Sequence, residues 1–314
     1  TSFVSPKRAR LLLDMIIQGR GCQILSVIRL CHIAKRTAIA LAERDAACHV
    51  EQMANREQRI HSCSIRIQII TDFIVNAPNE PFFQSNSYQH RCDTLGHRKR
   101  IAQRILISGP SECADVTVVL GANDHVLSGQ RIVSNASCTT NALAPLLRVL
   151  HEAYGVLAGH MTTIHCYTGS QPTVDAPRGA ALERNRAAAL SMVPTSTSAA
   201  VLIDKILPDL AGRVKGCAVR VPTASVSAVD LTCQVAHPVE QEALIELLRQ
   251  ARPDILGMTD RPLVSADLRA RRESLVIAAP QVAVMGQDLL RIFGWYDNEW
   301  GFSARMFDVA AKIT

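Results

Sequence analysis

From residue 105 onward the apolar positions change period in a way that separates strands from helices. Asp115 to Leu120 (DVTVVL) is apolar and β-branched, and Arg131 to Ser134 (RIVS) is a second short run, both patterns of buried strands. Thr139 to Tyr154 carries apolar residues at helical spacing, with Ser137 placed to cap the helix start. His160 to Thr168 (HMTTIHCYT) reads as a strand and runs into a long stretch rich in Arg, Pro, Ser and Thr without a settled period. Loops of that length inside a compact domain are usually functional. A helix over Ala200–Leu210, ended by Pro208, precedes two alternating strands, Val214–Thr223 and Ser225–Ala236. A helix over Val239–Ala251 follows, then short strands around Leu275–Ala279, Gln281–Met285 and Leu290–Trp295, and a closing helix from Trp300 to Ile313. Long neighbouring strands with helices set among them predict an α+β domain on a largely antiparallel sheet.

Residues 1–104 have apolar runs (LLLDMII, SIRIQIITDFIV) but little turn chemistry: Gly19, Gly21 and Gly96 are the only glycines before Gly109. They also differ in charge. This segment holds 16 Lys and Arg against 8 Asp and Glu, while the rest of the chain holds 18 against 20. The basic residues stand singly with no aromatic platform among them, so a solvated surface is favoured over nucleic-acid binding. No apolar run reaches the roughly 18 residues of a membrane span. The first twenty residues lack a small-residue cleavage site behind their apolar stretch, so they are not read as a signal peptide. The ten cysteines are scattered with no CxxC pair, which reads as reduced thiols in a cytoplasmic protein.

The sharpest chemistry lies in Ser134-Asn135-Ala136-Ser137-Cys138-Thr139-Thr140-Asn141. A strand runs into a small polar turn and a helix begins at once. The thiol of Cys138 then sits beside the unsatisfied N–H groups of the first helical turn, which favour an anion and predict a stabilised thiolate. SNASCTTN resembles the active-site signature of the glyceraldehyde-3-phosphate dehydrogenase family, which includes erythrose-4-phosphate dehydrogenases. The likeness continues in order through MTTIHCYT (161–168), RAAALSMVPTSTSAA (186–200), RVPTASVSAVDLT (220–232) and WYDNEWGFSARM (295–306).

The resemblance implies an α/β chain: a Rossmann-like nucleotide-binding domain over 1–137, completed by the C-terminal helix 298–314, and a catalytic domain over 138–297. Cys138 becomes the nucleophile and His165 its base. Arg220 and Thr168 resemble the substrate-phosphate site. Ser137, Thr139, Arg184, Thr197 and Ser198 resemble the inorganic-phosphate site, with Arg186 a nearby second candidate. Cys166, Cys217 and Cys233 are read as structural, and no metal is implied. Three positions depart from the family: Ser170 stands for Asp, Ser198 for a glycine and Phe302 for Tyr. The loop 169–197 resembles a segment that packs on a neighbouring subunit, so a homotetramer is implied.

For the cofactor, Ser108 and Gly109 resemble the nicotinamide side of the nucleotide domain, and Asn298 resembles the residue that orients the nicotinamide amide. Ala176-Pro177 leans toward NAD over NADP. The family's Gly-rich pyrophosphate turn has no counterpart in residues 1–104, since Ile24 takes the third glycine's place after Gly19-Arg20-Gly21. That segment is read as a diverged nucleotide domain, a replaced or frame-damaged stretch, or an appended module. The implied activity is phosphorylating oxidation of glyceraldehyde 3-phosphate with inorganic phosphate and NAD(P). The alternatives are erythrose 4-phosphate oxidation and a non-catalytic paralogue.

Overall fold

The computed structural model describes residues 67–70, 104–176 and 182–313. Gly19, Gly21, Ile24, Gly96 and Pro177 lie outside them, and so do nearly all of residues 1–104. The described chain forms two sheets. The first is parallel throughout, in the order β1 (Ile67–Ile70), β2 (Arg104–Ile107), β4 (Ile132–Ser134), β3 (Val116–Thr117). The second has β5 (Val156–Cys166), β6 (Val193–Thr195), β7 (Val214–Val221), β8 (Ser227–Val235), β9 (Leu256–Thr259), β10 (Leu275–Ala278), β11 (Ala283–Met285) and β12 (Leu289–Tyr296). Its order is β6-β7-β5-β8-β12-β10-β9, with β11 paired to β12. Pairing is antiparallel except at β5–β7 and β9–β10. The sheet is therefore mixed, with parallel pairs where chain connections return through helices or long loops.

Helix α1 (Cys138–Tyr154) joins the two sheets. It follows β4 directly and ends at Gly155, whose φ of 69° supplies the left-handed C-cap. One residue earlier than the sequence suggests, it starts at Cys138 itself. Helices α2 (Ala199–Ile206), α3 (Gln241–Gln250) and α4 (Trp300–Ile313) complete the α-helices among the described residues. Leu143, Leu146, Leu147 and Leu150 of α1 are fully buried and share one core with Met161, Leu231, Ile292 and Met306. α4 packs against both α1 and β2, so the C-terminal helix reaches back to the parallel sheet.

Several boundaries differ from the sequence expectations for visible reasons. DVTVVL is strand only at Val116–Thr117. Val118 and Val119 are fully buried, but the amide of Val119 donates to Asn123 Oδ1, and the chain turns there. Pro208 opens a separate 3₁₀ turn, so α2 stops at Ile206. The stretch without a settled period holds β6 and a 3₁₀ turn at Leu182–Asn185. Strand β9, containing Gly257, has no counterpart among the expected elements.

Candidate active site

The turn between β4 and α1 is built from small residues because the backbone there is forced. Ala136 has φ 54° and is wholly buried, a left-handed position where only a small side chain fits at modest cost. Its amide donates to Ser134 Oγ, and Ser134 Oγ in turn donates to the carbonyl of Gly109 at 2.7 Å. Ser137 caps α1: its Oγ accepts from the Thr140 amide at 3.1 Å. Cys138 is thereby fixed as the first helical residue. Ser108 and Gly109 follow the C-terminal end of β2, on the edge of a parallel sheet where ligands commonly bind.

β5 carries His165 to the same place. Met161, Thr163 and His165 alternate onto its buried side. Nε2 of His165 stands 3.7 Å from Cys138 Sγ, so the expected nucleophile and base meet. In register with His165 on the parallel neighbour β7 is Arg220. Arg220 Nη1 lies 2.6 Å from His165 Nδ1 and 3.1 Å from the carbonyl of Cys166, which itself lies 2.7 Å from Nδ1.

The electrostatics bear on one expectation. Burial pushes the Cys138 thiol above its ordinary value, although the Thr139 hydroxyl, the Arg220 charge and the backbone N–H groups at the helix start oppose it. Burial and then the Arg220 charge hold His165 down at about 4, against the Cys166 carbonyl, which raises it. Both shifts run against the stabilised thiolate expected, although Cys138 itself is only half-buried. A helix terminus typically contributes about 0.3–1 kcal/mol, less than the desolvation of a buried thiolate costs.

The other expected residues divide. Arg184 Nε donates to Thr195 Oγ1 at 3.1 Å, and its charge is felt at Arg220. Arg186, the second candidate, is paired with Asp175 at 3.1 Å. Thr168 is bonded to Ser170 at 2.9 Å, so the serine that replaces Asp still has a polar partner. Thr197 Oγ1 accepts from the Ala199 amide. Ser198 has φ −73° and ψ −10°, ordinary right-handed backbone, so a Cβ in place of the family's glycine is tolerated and its N–H is retained. Phe302 packs against the main core.

Four residues escaped the sequence reading. The hydroxyl of Tyr296 joins Thr139 Oγ1 at 2.9 Å and Thr163 Oγ1 at 2.8 Å, and its ring stands edge-on to His165. Ser227 Oγ accepts from the Cys166 amide and donates to Asn298 Oδ1. Cys166, read as structural, donates its S–H to Asn298 Oδ1 at 3.1 Å. Thr163 is the fourth. Tyr296 lies in the quoted WYDNE motif, but its partners depend on cross-strand register. Cys138, Cys166, Cys217 and Cys233 are free thiols. Among the described residues no cluster of His, Cys, Asp and Glu could hold a metal, and no helix is long and apolar enough to cross a membrane. A surface groove lined by Arg261, Val264, Arg291, Phe293 and Trp295 contains none of the site residues.

With Asn298 Oδ1 engaged by Cys166 and Ser227, the N–H groups of its amide are the part left to meet a carboxamide oxygen. The Asn298 amide thus has the donors that a nicotinamide carboxamide would need, while Ser108 and Gly109 directly follow β2.

Comparison with known proteins agrees with this arrangement. The family model for the glyceraldehyde 3-phosphate dehydrogenase C-terminal domain matches residues 137–298. Glyceraldehyde-3-phosphate dehydrogenase of Xanthobacter flavus is 46% identical over 231 residues, 72% of this chain and 69% of that protein. The enzyme of the same name from Cereibacter sphaeroides is 47% identical over 222 residues, 69% of this chain and 66% of its own length. Glyceraldehyde-3-phosphate dehydrogenase B of Aspergillus oryzae is 41% identical over 221 residues, again 66% of its length. The chain thus spans about two thirds of the length of these relatives. It belongs to the glyceraldehyde-3-phosphate dehydrogenase family of oxidoreductases, and residues 137–298 are its C-terminal catalytic domain.

Proposed function

We propose that the chain catalyses phosphorylating oxidation of glyceraldehyde 3-phosphate, with inorganic phosphate as co-substrate and NAD, in preference to NADP, as hydride acceptor. The observation that carries this reading is the 3.7 Å approach of His165 Nε2 to Cys138 Sγ at the start of α1. The Cys138 sulfur attacks the aldehyde carbon, and its proton reaches the new hydroxyl through Nε2 of His165, leaving a thiohemiacetal on the sulfur. His165 then accepts the hydroxyl proton as the carbon is oxidised to a thioester. A bound nicotinamide supplies the hydride acceptor, oriented by Asn298 with Ser108 and Gly109 nearby. Inorganic phosphate attacks the thioester carbon, the C–S bond breaks, and an acyl phosphate leaves with Cys138 restored.

Arg220 and Thr168 take the substrate phosphate, for which the planar guanidinium is suited. Ser137, Thr139, Arg184, Thr197 and the N–H of Ser198 take the attacking phosphate, with the first-turn N–H groups of α1 favouring the developing oxyanion. A cytoplasmic homotetramer fits the same reading. Its support is apolar side chains left uncovered on the long loop, with Leu190 82%, Leu182 74% and Met192 73% exposed.

A second reading is a paralogue that keeps the thiol but holds no dinucleotide. It is favoured by the absence of any Gly-rich turn before Gly109. Calorimetry of the purified chain with NAD and NADP separates the two. A micromolar dissociation constant supports the dehydrogenase, and NADH formation should then require both the phosphorylated aldehyde and inorganic phosphate and vanish in Cys138→Ser. A constant of millimolar order, about 4 kcal/mol of binding, supports the paralogue.

A further inference from the structure

The ends of β5, β8 and β12 meet at one side chain. His165 and Cys166 are consecutive on β5, so their side chains leave the strand on opposite sides. His165 turns to the thiol of Cys138, and Cys166 turns to Asn298. All three polar groups of Cys166 are engaged. Its amide donates to Ser227 Oγ, its carbonyl accepts from Arg220 Nη1, and its S–H donates to Asn298 Oδ1, each at 3.1 Å. Ser227 opens β8 in register with Tyr296 at the end of β12, and its hydroxyl donates to the same Asn298 oxygen at 3.4 Å. A buried thiol and a buried hydroxyl therefore converge on one atom of a half-buried amide.

This convergence fixes an orientation. An Asn amide presents either its oxygen or its N–H groups to a site, and a half-turn about the last side-chain bond exchanges them. Turned the other way, Nδ2 would meet the sulfur, a weak acceptor, and a serine oxygen that already takes the Cys166 amide. With Oδ1 held, Nδ2 has no partner among the described residues and keeps both N–H groups for a ligand. The chain also sustains strain next to the serine. Val226 has φ 68°, which a β-branched residue rarely adopts, and it is held there by burial beside Leu268 and Val276.

We infer that Cys166 is a positioning residue for Asn298: together with Ser227 it locks the amide so that its N–H groups, and not its oxygen, face a nicotinamide carboxamide. Given the proposed role of Asn298 at the nicotinamide, on which this rests, the thiol beside the candidate base has a task of its own. Burial pushes Cys166 up to about 11, so it keeps the proton it donates at neutral and mildly alkaline pH. A locked amide selects ligands by their acceptor. It takes a pyridine ring that carries a carbonyl, and loses nothing at this contact when the carboxamide nitrogen is replaced by a methyl.

Two measurements on the full chain test this. The first needs no dinucleotide. The S–H stretch absorbs in an infrared window free of other protein bands, and the Cys166 band is isolated in each protein by subtracting the spectrum of the same protein carrying Cys166→Ala. The band should lie at lower frequency in the wild type than in Asn298→Ala, because donation weakens the S–H bond. Coincident bands overturn the contact. The second is calorimetry with NAD and with 3-acetylpyridine adenine dinucleotide, which keeps the carbonyl oxygen but has a methyl in place of the amide nitrogen. In Cys166→Ala only the longer contact with Ser227 remains and the amide can turn, offering its oxygen to the NAD carboxamide but nothing to the methyl. The preference for NAD over the analogue should rise about threefold to tenfold, the worth of one hydrogen bond. Cys166→Ser, which keeps a donor, should restore the wild-type ratio. A general loosening of the site would weaken both ligands together, so an unmoved ratio overturns the positioning role. Absence of binding by either dinucleotide to the wild type overturns the dehydrogenase reading and the cofactor part of the inference with it, and the infrared band then decides the contact of Cys166 with Asn298.

Discussion

The hydroxyl of Tyr296, at the end of β12, is hydrogen-bonded at 2.9 Å to Thr139 Oγ1, the residue after the candidate nucleophile. A second bond at 2.8 Å to Thr163 Oγ1 makes this hydroxyl a junction between α1 and the strand that carries His165. Sheet and helix thus hold the thiol and the imidazole at a set distance through one buried oxygen.

Tyr296→Phe removes that junction with little change of shape. Two threonine hydroxyls lose a partner in a site closed to water, and a buried hydroxyl left unpaired costs about 1–3 kcal/mol. The urea midpoint should fall accordingly at unchanged slope. An unchanged midpoint would mean that the threonines find other partners.

Cys138 should react with limiting iodoacetamide ahead of Cys166 and Cys233, which are buried and pushed up to about 11 and about 12. Because burial raises the Cys138 thiol above its ordinary value, the alkylation rate should still be climbing at alkaline pH. Peptide mapping across a pH series checks both points. A plateau below pH 7 would restore the thiolate expected from the helix start.

That thiolate expectation marks where local reading stops. Ser137 as cap, Cys138 at a helix start and His165 on a strand are legible because each depends on neighbours in sequence. The desolvation that outweighs the helix terminus depends on what closes over the thiol, and no spacing of residues in SNASCTTN reports it. The same holds for Tyr296, Thr163 and Ser227, whose partners are set by the register of β12, β8 and β5. Elements were legible where the period was long, as in α1 and β8. The short strands β6 and β9 were missed, whereas β4, β10 and β11, no longer than these, were read from their apolar runs. DVTVVL shows the converse: Val118 and Val119 are buried as predicted, yet the strand stops at Thr117, because burial is not a strand signal when an Asn side chain takes the backbone N–H.

Ala136 tests the strained turn that aims Cys138. At φ 54° a glycine is at ease and a β-branched residue is not, and Ala136 is also wholly buried. Ala136→Gly should be neutral or stabilise by up to about 1 kcal/mol, since it relieves a left-handed alanine. Ala136→Val should destabilise by about 2 kcal/mol or more through strain and overpacking. Thermal unfolding of both variants checks the order, and a Val variant as stable as the Gly one would contradict the turn geometry.

The pH dependence of stability should carry the signature of His165. Its folded value of about 4 lies below the ordinary 6.5, because burial and then Arg220 disfavour the imidazolium. The unfolded chain therefore binds a proton that the folded chain refuses. This contribution is present in full above pH 6.5 and is lost as pH falls from there toward 4. A displacement of this size corresponds to about 3 kcal/mol between the two ends. Carboxylates titrate in the same range, so the wild type must be compared with His165→Asn, which has no proton to gain. Urea unfolding at pH 7 and pH 4.5 should show a steeper loss in the wild type than in the variant. Equal losses in the two would mean that His165 binds its proton as readily folded as unfolded.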